Sequence, residues 1–115
     1  MHHERDNVYR FDIRGTLTKA EMDQASSAVV VEMKRIGKVR LLFVLIGFKG
    51  WEKNQAWNDL TFYVQHGDQI ERIAIVGDEQ WKSEAMMFAA ADLRSAPVEF
   101  FPSRAMAEAR AWLSS

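Results

Sequence analysis

The residue types best suited to a site stand in the run Gly47-Phe48-Lys49-Gly50-Trp51-Glu52-Lys53-Asn54-Gln55-Ala56-Trp57. It holds two glycines, a lysine between them and three large aromatics, with no Cys, Ser or His. Such a set binds rather than reacts. Aromatic faces cover apolar ligand surface, but no nucleophile, base and orienting group can be assembled from these side chains. The glycine–lysine spacing is not a phosphate loop, because GxxxxGK[ST] and its hydroxyl are missing. An anion would find here only what any helix N-terminus offers. Trp81 follows Gly77 much as Trp51 follows Gly47 and Gly50, so Trp51 and Trp81 are candidates to wall one cleft. The competing reading is two separate rim residues. For Trp57, the spacing to Leu60 and Val64 is that of helical core.

The candidate acids have structural explanations. Asp78 stands where a helix cap is needed, and Asp59 lies two residues after Trp57, on another side of a helix. A small enzyme using Asp59 or Asp78 with Lys49 is therefore the alternative in a different functional class. His66 precedes Gly67 and reads as a helix-end residue. Met1-His2-His3 has the donor types of a square-planar cupric site, a common terminal pattern to which no role is assigned. No metal site and no cofactor are expected.

These residues need elements to hold them. Alternation of Tyr9, Phe11 and Ile13 with polar neighbours predicts a half-buried strand ending at Gly15, with residues 1–5 as a candidate edge strand before it. Thr18-Lys19-Ala20-Glu21 is a capping box, with Leu17 and Met22 placed to staple over it. Met22, Ala25, Val29, Met33 and Ile36 then mark one helix face, and Gly37 the stop. Residues 39–46 are apolar almost throughout, as in a strand covered on both faces. A helix is predicted over 52–66, a strand over 70–76, a helix over 79–93, a strand over 97–101 and a helix from Pro102 onward. In the third of these helices Met86, Met87 and Phe88 cannot all face one sheet. Either that helix is buried under another element or it exposes an apolar patch to a second copy of the chain or to a hydrophobic ligand.

At 115 residues the chain suits a single domain, 1–115, and 48% hydrophobic with 27% charged residues is the balance of a globular protein. A net charge of −1 gives no global pull toward nucleic acid. The cluster Lys34, Arg35, Lys38 and Arg40 reads as a helix end and strand start. The absence of cysteine excludes disulfides, thiolate catalysis and cysteine-ligated zinc. No apolar run reaches membrane-span length and the start has no signal-peptide core, so a cytoplasmic location is the expectation.

The ordered pieces Arg14-Gly15-Thr16-Leu17-Thr18, Leu41-Leu42-Phe43, Gly50-Trp51, Ala56-Trp57-Asn58-Asp59-Leu60, Ile70 through Trp81, Phe100-Phe101-Pro102 and Ala109–Leu113 resemble the SpoIIAA-like family, of the STAS-type fold. The resemblance runs from Tyr9 to Leu113. It implies an α/β domain whose four- to five-stranded, mostly parallel sheet carries four helices, mainly on one face, with an antiparallel N-terminal edge strand. It also implies a non-catalytic binding or regulatory module. Anti-sigma antagonists of this type carry a phosphorylated Ser or Thr after the second long strand. Here that place reads Gly47 through Asn54 and has neither, so that switch does not carry over. The candidate ligand residues are Phe48, Trp51, Trp57 and Trp81. The candidate interface is Met86, Met87 and Phe88. Expected partners are a small hydrophobic ligand, a regulatory protein or a second copy.

Overall fold

The computed structural model describes residues 1–52, 69–88 and 96–115, the side chain of Phe88 excepted. Five strands form one sheet in the order β1 (His2–Arg5), β2 (Val8–Leu17), β3 (Val39–Trp51), β4 (Ile70–Gly77), β5 (Val98–Pro102). β1 pairs antiparallel with β2, and every other neighbour pair is parallel. The expected edge strand is thus present, joined to β2 by a two-residue turn. Asp6 takes the left-handed conformation there (φ 43°), which a short polar side chain tolerates. The Asn7 amide fastens this turn to the sheet, donating to the Lys38 carbonyl (3.1 Å) and to Glu71 Oε1 (2.8 Å).

Three helices are described: α1 (Lys19–Ile36), α2 (Lys82–Phe88) and α3 (Met106–Ser114). The helix predicted over 52–66 lies outside the described residues, as does the end of the one predicted over 79–93. Period-two alternation along the strands sorts the core into two layers. Tyr9, Phe11, Leu41, Leu45, Ile73 and Ile75 face α1 and the α2 residue Ala85. Val8, Leu42, Ala74 and Val76 face the opposite way, onto Ala109 and Leu113 of α3. Val8, out of phase with Tyr9, Phe11 and Ile13, is therefore core of the other face.

Both ends of α1 are tied down. The capping box forms as the sequence predicts: Thr18 Oγ1 accepts from the Glu21 amide (3.1 Å), and Glu21 Oε1 accepts from the Thr18 amide (3.0 Å). Gly37, at φ 89°, closes the other end through its amide and the Met33 carbonyl (2.8 Å). Ile36 departs from expectation. It is 38% exposed. On the opposite face, two neighbouring arginines of β3 and β4 receive the carboxyl end of α3. Arg72 Nη1 donates to the Trp112 carbonyl (2.5 Å), its guanidinium lying 5.2 Å from the Trp112 ring centre. Arg40 Nη1 donates to the carbonyls of Leu113 and Ser115. Cations at a helix C-terminus satisfy its free carbonyls and its dipole.

Two strand ends were misplaced by the sequence pattern, and they matter for the site. β2 continues past Gly15 to Leu17, and β3 continues past Gly47 to Trp51. Arg14 pairs with Ile46, but Thr16 pairs with Gly50 and Leu17 with Trp51. β2 advances two residues while β3 advances four, so β3 bulges around Gly47-Phe48-Lys49. Gly47 (φ 55°) and Gly50 (φ 106°) supply the left-handed backbone that such a bulge requires. The glycines that look like a strand terminus are a kink within a strand.

Candidate binding site

The bulge aims an aromatic cluster at the upper end of the α1 face. Phe48 is buried and meets Trp51 edge-to-face, ring centres 4.9 Å apart. Trp81, from the turn before α2, meets Phe48 at 5.0 Å and Trp51 at 6.1 Å, again edge-to-face. These are the separations and tilts at which aromatic quadrupoles attract. Trp81 also lies over Gly50: a Cβ there would sit 3.5 Å from the indole. Trp51 and Trp81 are thus brought together, as one reading of the sequence required. They touch each other instead of facing across a gap, and Trp81 braces the pair formed by Phe48 and Trp51.

The gap lies beneath. Between α1 and the sheet is a cavity of about 60 Å³, reaching from Leu41 and Ile70 up to Phe48 and Trp51. Its helical wall is Met22, Ala25, Ser26 and Val29, and Ala85 of α2 contributes a further edge. The opposing strands present Phe11, Phe43 and Leu45. Among the described residues, α1 offers its small Ala25 and Ser26 to this space. α1 is held at both ends. At the amino end Glu52, directly after β3, accepts from the Lys19 amide (2.6 Å) while its own amide donates to the Leu17 carbonyl (2.9 Å). At the carboxyl end Tyr9 donates to Glu32 Oε1 (3.0 Å), and Arg35 donates to both Glu32 oxygens (3.1 Å each) and to the Tyr9 hydroxyl (3.3 Å).

That lower cluster is electrostatically set. The Arg35 hydrogen bond, followed by that of Tyr9, holds the Glu32 carboxyl below the ordinary carboxylate range. Burial, reinforced by Glu32, raises Tyr9 above an ordinary phenol. Glu32, through its hydrogen bonds and charge, raises Arg35. The ring of His3 stacks on Tyr9 at 5.0 Å.

The other sequence candidates fall elsewhere. Trp57, Asp59 and His66 lie outside the described residues, as does the side chain of Phe88. Asp78 caps the turn Glu79–Trp81, its Oδ1 accepting from the Gln80 amide (3.1 Å), and Lys49 is exposed on the bulge. Met87 is 76% exposed and Met86 half-buried, so α2 shows solvent one methionine while its Ala85 faces the cavity. No group of three or more potential metal ligands occurs among the described residues. No described helix is long and apolar enough to cross a membrane. Sequence reasoning passed over Ser26. The signal was its place four residues after Met22 and three before Val29, a hydroxyl inside an apolar stripe.

The fold has a solved counterpart. An uncharacterised protein from the DUF3478 family with a SpoIIAA-like fold, from Shewanella loihica PV-4, superposes with a TM-score of 0.73 over 98% of this chain and 89% of that one. The two are 23% identical, and the likeness speaks for the fold alone. No curated protein matches the chain. The SpoIIAA-like family model matches residues 8–114. With the five-stranded α/β sheet and its antiparallel edge, that match places the chain in the SpoIIAA-like family, of the STAS-type fold.

Proposed function

We propose that this domain is a non-catalytic binding module that takes a small hydrophobic ligand between α1 and the sheet, below Phe48 and Trp51. The observation that carries the reading is the apolar cavity of about 60 Å³ under a helix tied at both ends. One larger side chain at Ala25 would remove it. Two further features support binding over other roles. The bulge Gly47-Phe48-Lys49-Gly50 has no Ser or Thr to phosphorylate, and Asp78, the one described member of the acid pair, is committed to a turn.

The test is a methyl NMR titration with n-pentane. The expected result is shifts at Met22, Ala25, Val29 and Leu45, and their loss in Ala25→Leu, which fills the cavity. Shifts that persist in Ala25→Leu, or that appear at Leu42 and Leu113 under α3, would refute the reading.

A further inference from the structure

We propose that the outer edge of β5 pairs with the same edge of a second copy of this chain, joining two sheets into one about a two-fold axis. The backbone shows which groups that edge offers. Ile73 of β4 lies opposite Val98, and its amide donates to the Pro97 carbonyl (3.0 Å). Along a strand the backbone groups of alternate residues point to the same side. Pro97, Glu99 and Phe101 thus face β4, while Val98, Phe100 and Pro102 turn their backbone groups outward. β5 is the last strand of the sheet, and no described residue bonds to those outward groups. The opposite edge is built differently. β1 is all polar, His2-His3-Glu4-Arg5, its register is irregular, and its Glu4 is tied to Arg110 (3.0 Å). Charges and irregularities of this kind keep an edge from pairing. β5 instead sets Val98, Phe100 and Phe101 around a single charge, Glu99.

A second β5 matches this edge when it runs antiparallel with Phe100 opposite Phe100. Each Phe100 amide then donates to the other copy's Phe100 carbonyl, and each Val98 amide donates to the Pro102 carbonyl across the axis. Pro102 has no amide proton, so the Val98 carbonyl opposite it stays with water. Charge selects this register. The alternative that uses the same donors sets Val98 opposite Phe100 and Glu99 opposite Glu99, and like charges directly opposite destabilise a ladder. With Phe100 at the axis, each Glu99 lies opposite an apolar Phe101 instead. The edge is thus its own complement, with acceptors where the second copy has donors and its charge kept off the axis. Side chains on one face add to the contact. Val98 and Phe100 are half-buried on the face that α2 covers, and α2 packs against β5. The exposed Met87 of α2 gives that side an adaptable apolar side chain of the kind that suits an interface.

The experiment uses the unaltered chain. Sedimentation velocity gives the mass, and amide hydrogen exchange by NMR at rising protein concentration locates the contact. The expected result is a dimer whose Val98 and Phe100 amides exchange about tenfold more slowly after a rise in concentration of about a hundredfold, the square-root law of a monomer–dimer equilibrium. In a mixture of isotope-labelled and unlabelled chains, an NOE between the α proton of Glu99 and that of Phe101 in the other copy supports the register. A chain that stays monomeric at millimolar concentration overturns the proposal. So does a dimer in which Val98 and Phe100 exchange at a rate independent of concentration. An NOE between the α protons of Glu99 in both copies overturns the pairing of Phe100 with Phe100.

Discussion

α1 and α3 lie on opposite faces of one sheet and bury their inner sides by opposite means. Under α3 the sheet presents Leu42 and Ala74 and the helix presents Ala109 and Leu113, all fully buried. Small residues there draw helix and sheet into close contact. Under α1 the sheet presents Phe11, Phe43 and Leu45, and the small helix residues Ala25 and Ser26 leave a gap instead. Small residues have opposite consequences because the helices are held differently. α3 is received at its carboxyl end by Arg40 and Arg72 and settles onto the strands. α1 is pinned at one end by Thr18, Glu21 and Glu52 and at the other by Tyr9, Glu32 and Arg35. One face is a structural core, and the other is a core with room in it.

The largest effect that would sharpen this contrast is on the solid face. Leu113→Ala should cost about 2–5 kcal/mol, toward the top of that range because the surroundings are close-packed and tied. Urea unfolding measures it, and a loss under 1 kcal/mol would mean that the α3 face is loose too.

A smaller effect probes the lower clamp of α1. The Glu32 carboxyl is held below its ordinary value in the folded domain, so its contribution to stability is present above the carboxylate range of the unfolded chain. That contribution is lost as pH falls through the lowered folded value. Glu32→Gln should therefore be less stable than wild type near neutrality, and the difference should close in acid. Stability curves that stay parallel from neutral to acid pH would show that Glu32 does not clamp the helix through its charge.

What was legible in the residues follows the range of the interactions involved. The capping box at Thr18 and Glu21, the stop at Gly37, the cap at Asp78 and the alternation of Tyr9, Phe11 and Ile13 are local, and each appears where its spacing puts it. The extension of β3 through Gly47 and Gly50 is not local. Those glycines terminate a strand or kink one depending on whether Thr16 and Leu17 are there to pair with Gly50 and Trp51. The aromatic site was half legible. The types at Phe48, Trp51 and Trp81 marked a place for binding, but their mutual contact depends on the bulge that swings Trp51 beside a turn some thirty residues later. The cavity was not legible at all. Ala25 reads as ordinary helix core, and only the clamps on either side of it turn a small residue into a void.

The same substitution on the two faces tests the contrast most directly. Ala25→Leu on α1 enters the cavity and is expected to raise stability by about 1 kcal/mol. Ala109→Leu on α3 enters a filled layer and is expected to lower it by about 1–3 kcal/mol. Paired urea unfolding of the two variants should therefore give changes of opposite sign. If both destabilise the domain to the same extent, the α1 face has no room to spare, and the account of it as a binding site is contradicted.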